Sequence, residues 1–455
     1  MLQTFKNAWK VQELRNKILF TLMIILLYRI GAQLFVPFVD VESVQNAAVF
    51  SGGVFQLLNS FSGNALKMGT LFALSVSPYI TASIVMQLLT IAIPPLERLS
   101  KQGEEGKKKI AAYTRIVTVA LALLTAYGYV ELLASYNALL IDKETGGGYY
   151  YFQLGVMMAC LCAGASLVMW LAEKINEHGI GNGISIILFA NIISDAYSMY
   201  EQTKSMLTVQ TITGTEFLTG WDLTFGILKV VLSVALLIAT VGLIVWFTNS
   251  ERRIPIQYAK RVVGRKMYGG QSSNLPLKMN MAGVMPVIFA SSIVSLPATI
   301  TGFMPAEWKF VQFMNKWFNS TSIAYIVIFL LLIFAFSYFY IMISFNPVEV
   351  ANNIKSNGGS VPGIRPGRPT SDYIKKVLGR VTFVGAVFLC VIAGVPMIVN
   401  AILSAIQTAN PEIVINFYSI AFTGTSLLIV VGVALETVRE LEAQLSMRNY
   451  KGFLD

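Results

Sequence analysis

Between Lys316 and Glu349, between Arg380 and Glu412, and again between Glu412 and Glu436, the chain has no Asp, Glu, Lys, Arg or His. No other feature limits the fold as much, because about 20 consecutive apolar residues suffice for a helix to cross the hydrocarbon core of a bilayer. Composition agrees. Of 455 residues, 55% are hydrophobic and only 13% charged, against about 25% charged in a soluble domain. The chain is therefore read as an all-α, polytopic membrane protein, and an ordinary soluble enzyme is excluded.

Hydropathy places ten spans at roughly 18–37, 74–94, 111–134, 151–172, 179–198, 223–247, 281–303, 323–345, 380–403 and 414–435. Lys and Arg orient them, since these residues are held back on the cytoplasmic side. With the N-terminus inside, the outer segments hold only Lys67, Lys143, Lys204, Lys309 and Lys316, while Arg29 and Lys229 fall within spans. Every other Lys and Arg then lies inside, so both termini are expected in the cytoplasm. Residues 1–17 carry Phe5, Trp9, Val11 and Leu14 among Lys6, Lys10, Arg15 and Lys17. That spacing predicts an amphipathic helix on the membrane surface rather than a removable signal peptide. Residues 439–455 form a tail.

The chain offers little to catalysis. Its cysteines, Cys160, Cys162 and Cys390, all lie in apolar stretches, and His178 is the single histidine. A C-x-C pair without His or Cys neighbours lacks the spacing of a zinc or redox site. Neither H-E-x-x-H, G-x-S-x-G nor the phosphate-cradling G-x-x-x-x-G-K-[ST] occurs, so no cofactor is expected and the energy source is a partner or a gradient.

Several features do not belong to a plain bundle. Phe55–Leu66 (FQLLNSFSGNAL) is apolar, yet as a helix it covers only about 18 Å, short of the ~30 Å core. It reads either as a re-entrant plug or as an interfacial loop helix. Pro78, Gly179, Gly181, Gly183, Gly283 and Pro286 interrupt predicted spans, as in helices broken along a pathway, although Gly and Pro are common in membrane helices generally. Two long basic loops follow. Residues 249–280 carry Arg252, Arg253, Lys260, Arg261, Arg265, Lys266 and Lys278 against Glu251; residues 346–380 carry Lys355, Arg365, Arg368, Lys375, Lys376 and Arg380 against Glu349 and Asp372. Topology alone explains positive loops; their length and the turn-dense Ser356–Pro369 also suit docking of an acidic partner or of RNA phosphates. Arg29 and Lys229 are intramembrane charges, a functional hint by default; Lys229 sits close enough to the outer end of its span to snorkel. Carboxylates are almost missing from span centres, which counts against ion-coupled transport.

The strings GIGNGISII (Gly179–Ile187), LPLKMNMAGVMP (Leu275–Pro286), NPVEVANNIK (Asn346–Lys355), VPGIRPG (Val361–Gly367) and GTSLLIVV (Gly424–Val431) resemble those of the SecY family. So do FSGNAL (Phe61–Leu66), SPYITASIVMQLL (Ser77–Leu89) and RRIPIQYAKR (Arg252–Arg261). They run from the first span to the last in the family's order.

The resemblance implies ten helices in two pseudo-symmetric halves, 18–200 and 201–438, around an hourglass pore. It implies a pore ring at Val76, Ile80, Ile184, Leu188, Ile288 and Ile429, and physical reasoning is compatible with it. Val76/Ile80 and Ile184/Leu188 are each four apart, on one helical face, and an apolar constriction gates by dewetting. The resemblance makes Phe55–Leu66 the plug, with Phe55, Leu58, Phe61, Ser62, Gly63 and Leu66 as its residues. It places a lateral gate between the second/third and seventh/eighth spans, with Thr81, Gln87 and Asn280 as a hydrogen-bonded latch. Arg252, Arg253, Lys260, Arg261 and above all Arg365 become a docking face for the SecA motor ATPase and the translating ribosome. Further implied partners are small SecE-like and SecG-like membrane subunits, signal-bearing precursor proteins and the lipid bilayer; the implied location is the bacterial plasma membrane.

The function so implied is passage of unfolded polypeptides across the membrane, with sideways release of hydrophobic segments. A ten-span secondary transporter for small molecules is the alternative, suggested by the glycine-broken helices. An intramembrane enzyme lacks any nucleophile–base pair.

Overall fold

The computed structural model describes residues 2–46, 53–140, 147–194, 208–211, 214–217, 221–258, 261–263, 266–268, 272–301, 308–318, 322–409 and 424–451. A helix occupies each of the ten predicted spans. In chain order, α1 is Leu2–Lys10, α2 Gln12–Gly31, α3 Val41–Asn46, α4 Gly53–Ser62, α5 Ala65–Met68, α6 Ser77–Ala92, α7 Pro94–Ser100, α8 Glu104–Ser135, α9 Gly147–His178 and α10 Gly183–Ser194. After the hairpin β1 (Thr208–Thr211) and β2 (Gly214–Phe217) come α11 (Trp221–Asn249), β3 (Glu251–Tyr258), β4 (Arg261–Val263), β5 (Lys266–Tyr268) and β6 (Ser272–Lys278). The chain continues through α12 (Met285–Thr301), α13 (Lys309–Trp317), α14 (Ile323–Ser344), α15 (Pro347–Ser356), β7 (Gly359–Ser360), α16 (Arg368–Ala409) and α17 (Gly424–Lys451).

Eight of the spans fall into two kinds. Residues within α8, α9, α11, α16 and the α14–α15 stretch form helices long and apolar enough to cross a bilayer unaided. Helices α6, α10 and α12 are shorter, at 16, 12 and 17 residues, or roughly 18–25 Å at 1.5 Å per residue. Their predicted interruptions prove to be beginnings. Pro78 lies in the first turn of α6 and Pro286 in that of α12, where proline removes no helical hydrogen bond. Gly179 and Gly181 form the link between α9 and α10, closed by Asn176 Oδ1, which accepts from Gly183 N at 2.8 Å. A Cβ on Gly183 would stand 2.0 Å from the Ala172 carbonyl, so only glycine lets α10 start against α9. At its other end, α6 meets Pro94, where the chain bends by 105° into α7.

The predicted surface helix over 1–17 is shorter than expected. Helix α1 ends at Lys10, and α2 already runs from Gln12. Ala8 and Leu14 are buried with Ile180 and Leu441, so this segment packs on α17 and the α9–α10 link as well as presenting a half-exposed Trp9. The third span starts with a charge because Arg115 Nε pairs with Glu173 Oε1 of α9 at 2.9 Å.

Packing sorts the apolar side chains inward and outward. One cluster joins α2, α4, α6, α9, α10, α12, α14, α16 and α17 through buried residues such as Tyr28, Ile175, Phe289, Phe329 and Leu428. A second lies among α5, α8 and α9, around Tyr129, Leu133 and Leu161. Leu26, Ile30, Val231, Ile238, Trp246 and Leu331 point outward from α2, α11 and α14, an apolar exterior that suits lipid and would not suit water.

The chain is not wholly helical. The two basic loops meet in a three-stranded antiparallel sheet of order β6-β3-β7, with Ile254 opposite Leu275 and Gln257 opposite Ser360. Ile254, Ile256, Leu277, Ile354, Val361 and Ile374 are buried beneath it.

Candidate functional site

Five of the six expected ring positions, Val76, Ile80, Leu188, Ile288 and Ile429, are buried in one core cluster, with the sixth, the half-buried Ile184, packed against it. Three of them, Ile80, Leu188 and Ile288, line a common cavity. All six share a local feature that was not legible in the sequence. Val76 is the N-cap of α6 and Ile80 lies in its first turn, Ile184 and Leu188 occupy the first two turns of α10, Ile288 the first turn of α12 and Ile429 the second of α17. The collar therefore sits where four helices begin. The backbone leading into α6, α10 and α12 is irregular at Gly69–Val76, Gly179–Asn182 and Met279–Val284. Within a membrane such backbone survives only when buried in protein or lining a water-filled cavity.

Helix α4 approaches three of these positions. Leu58 and Phe61 of α4 line a cavity of about 20 Å³ together with Ile80, Leu188 and Ile288, room for about one water molecule. The segment is shaped by its own polar groups. Asn59 Nδ2 donates to Asn64 Oδ1 at 2.7 Å, and Asn59 Oδ1 accepts from Lys67 N at 3.0 Å. Ser62 Oγ donates to Asn59 O and accepts from Leu66 N. Gly63 (φ 63°) and Asn64 (φ 70°) turn the chain between α4 and α5. Three side chains bond the segment to the bundle, one of them Ser75, whose Oγ donates to Phe61 O at 3.2 Å. Tyr129 of α8 donates to Leu66 O at 2.6 Å, and Asn191 of α10 donates to Phe61 O at 2.7 Å. Ser62 and Leu66 are buried, and Leu58 is half-buried. The backbone of Phe55 belongs to α4, but its side chain lies outside the described residues.

Beside the plug segment, α6, α8 and α12 enclose a second cavity of about 320 Å³, lined by Leu58, Leu66, Thr81, Leu124, Ser295 and Ile300 among others. The seam between α6 and α12 is rich in small hydroxyls, with Ser77 and Thr81 on one side and Ser291, Ser292 and Ser295 on the other. Thr81 donates back to Ser77 O, and Ser291 and Ser292 both donate to Ile288 O. The three expected latch residues do not come together. Gln87 donates to Ser83 within α6, while Asn280 lines a different cavity with Lys278, Glu436 and Arg439. No hydrogen bond joins Thr81, Gln87 and Asn280 among the described residues, because each polar group is satisfied or housed near its own backbone. In that cavity of Asn280, burial pushes the Glu436 carboxyl above its usual range and the Lys278 ammonium below its own.

Of the basic residues, Arg252 and Arg253 are exposed on β3, with Arg253 Nε on Glu251 Oε1 at 2.7 Å. Arg365 is exposed on a turn between Gly363 and Gly367, both at positive φ, and its carbonyl accepts from Thr370 Oγ1 at 2.9 Å. The β3–β7 pairing ties that turn to the strand bearing Arg252 and Arg253. Lys260 lies outside the described residues, as does the side chain of Arg261 at the start of β4; the side chain of Lys229 is likewise outside them. The three cysteines are free and half-buried. Among the described residues no group of His, Cys, Asp and Glu gathers that could hold a metal ion.

Sequence reasoning singled out Arg29 as an intramembrane charge without giving its partner, and it missed Asn191. Arg29 Nη2 donates to Ala190 O of α10 at 2.8 Å. Asn191 is fully buried, and its Nδ2 reaches Tyr28 Oη at 2.9 Å and Ser75 Oγ at 3.3 Å. The only available signal was an asparagine within an otherwise apolar span.

Comparison with known proteins agrees with this geometry. The SecY family model matches residues 70–438. The "Protein translocase subunit SecY" of Streptomyces coelicolor is 44% identical over 461 residues, covering 100% of both chains. That of Mycobacterium bovis is 42% identical over 468 residues, again with 100% of both covered. Among solved structures, a protein-conducting channel superposes with a TM-score of 0.62 at 16% identity, over 94% of this chain and 92% of the other. Sec61 in the canine ribosome-channel complex gives 0.59 at 16% identity, with the same coverage. With the family model matched over residues 70–438 and full-length relatives at this identity, the chain belongs to the SecY family.

Proposed function

We propose that this chain forms a protein-conducting channel, through which unfolded polypeptides cross a membrane. The observation that carries the reading is the small cavity where Ile80, Leu188 and Ile288 meet Leu58 and Phe61 of α4, within the core cluster that also holds Val76 and Ile429. A dry constriction of this kind blocks ions, offers a passing polypeptide no hydrogen-bonding partners to hold it back, and can widen through small shifts of the helices that bear it. The seam between α6 and α12 supports the role of lateral gate. Thr81, Ser291 and Ser292 turn their hydroxyls back on their own helices, and the adjoining apolar cavity suits a hydrophobic signal segment on its way to lipid.

The chain supplies no nucleotide site among its motifs, so force comes from outside. The exposed Arg252, Arg253 and Arg365 on one small sheet-based unit support docking of a SecA-like motor or a ribosome. SecE-like and SecG-like subunits are the expected membrane partners, and the bacterial plasma membrane, with both termini cytoplasmic, the expected location. The halves 18–200 and 201–438 serve as the two jaws. Vesicles containing this chain, its membrane partners, SecA and ATP should import a signal-bearing precursor. Protease protection of the precursor reads this out, and persistent absence of protection with verified components would overturn the proposal.

A further inference from the structure

The carbonyl of Phe61 belongs to the last turn of α4, where a helix leaves its final carbonyls without partners. The bundle supplies partners here. Asn191 Nδ2 donates to Phe61 O at 2.7 Å and Ser75 Oγ donates to it at 3.2 Å, filling both lone pairs. The donors are themselves linked. Asn191 Nδ2 also lies 2.9 Å from Tyr28 Oη, which is 3.2 Å from Ser75 Oγ. One proton arrangement closes the ring: the asparagine donates to the tyrosine, the tyrosine to the serine, and the serine to the plug carbonyl. Tyr28 and Asn191 are fully buried and Ser75 almost so. Arg29, on the residue after Tyr28, fixes the neighbouring Ala190 carbonyl. Gly63 lies so near that a Cβ on it would stand 2.9 Å from both terminal guanidinium nitrogens and 3.0 Å from Asn191 Oδ1.

We propose that Tyr28, Ser75 and Asn191 form a latch that holds the plug segment shut, with Asn191 as its principal positioning residue. The latch rests on the reading of Gly53–Met68 as the plug. Two elements far apart in sequence, the turn before α6 and α10, direct donors at a single plug carbonyl, and Tyr28 of α2 bonds both donors. If the segment leaves a dry site, Ser75 and Asn191 lose their acceptor with nothing to replace it. If water enters first, it satisfies the same groups, and the hydrogen bonds no longer favour the closed position. The latch therefore resists thermal opening and yields when a polypeptide wedges the seam and admits water. It sets how hydrophobic a signal must be to open the channel.

The test uses the full chain with its membrane partners in planar bilayers. Asn191→Leu, near in size but without donors, should raise resting conductance on the order of tenfold, the factor given by one buried hydrogen bond of usual strength. It should also permit export of a precursor with a shortened apolar signal. Gly63→Ala changes the plug segment itself, at a positive φ and with its Cβ crowding Arg29 and Asn191, so it should act likewise. In a variant lacking Gly53–Ser62, Asn191→Leu should add nothing. Parent-level conductance in both substitutions, beside a leaking plug deletion, overturns the latch and leaves the plug reading intact. An Asn191→Leu effect that persists undiminished in the plug deletion also overturns it, since the residue then acts on the bundle alone. A plug deletion as tight as the parent overturns the plug reading itself, and the latch with it.

Discussion

Branched aliphatic side chains suit the collar because they fill the constriction without offering a hydrogen bond to water or to a passing peptide. Changing Ile80, Ile184 and Ile288 together to Asn places three amides around the same opening, and the space should wet. Resting conductance in planar bilayers is expected to rise well above the parent; an unchanged value would remove these residues from the ring. A subtler change tests the plug's far end. Tyr129→Phe removes the stronger of two donors to the Leu66 carbonyl, leaving Gly69 N at 3.4 Å. It should lower the unfolding midpoint in detergent by the equivalent of about 1 kcal/mol. At this scale all six ring positions emerged only through resemblance; the i,i+4 spacing of Val76/Ile80 and Ile184/Leu188 places each pair on one helical face but does not distinguish a pore from a core. Asn191 stayed hidden because a single asparagine in an apolar span has no spacing to interpret, and its partners lie 116 and more residues away.

At the level of elements, the long charge-free runs made the hydrophobic helices easy to find, whereas their ends were not. Pro78, Pro286 and the Gly179–Gly183 run look like breaks because sequence windows assume that a span fills the bilayer. They are starts, as the short α6, α10 and α12 show. The union of the two basic loops was equally illegible. Strand β7 has only two residues, and its pairing with β3 joins positions about 100 apart with no local pattern to announce it. That union has a functional corollary. Arg365→Glu reverses a charge on a braced turn, not on a loose loop, so it should impair SecA-driven export strongly while membrane insertion and the folded yield stay normal. Export measured in proteoliposomes checks this, and parent-level rates would remove Arg365 from the docking face.

For the whole molecule, the decisive contrast is between a channel for chains and a carrier for solutes. A photoreactive residue at Ile288, facing the cavity beneath the plug, should form an adduct with a stalled, half-exported precursor. The same residue placed at Leu331, on the lipid side of α14, should not. Gradient-driven accumulation of a small solute, without the Ile288 adduct, would favour the transporter reading.

The position of the collar at the roots of its helices has a mechanical result. A rod swinging about a joint moves little near the pivot and far at its tip. In α6, Ile80 stands only about 6 Å from the irregular backbone before Ser77, whereas Ala92 is about 24 Å away. A swing of about 10° would displace the aperture by roughly 1 Å and the distant end by roughly 4 Å. In the proposed gate, such leverage would part α6 from α12 toward the acyl chains while the throat scarcely loosens, so that a greasy segment could slip sideways with the ionic seal kept.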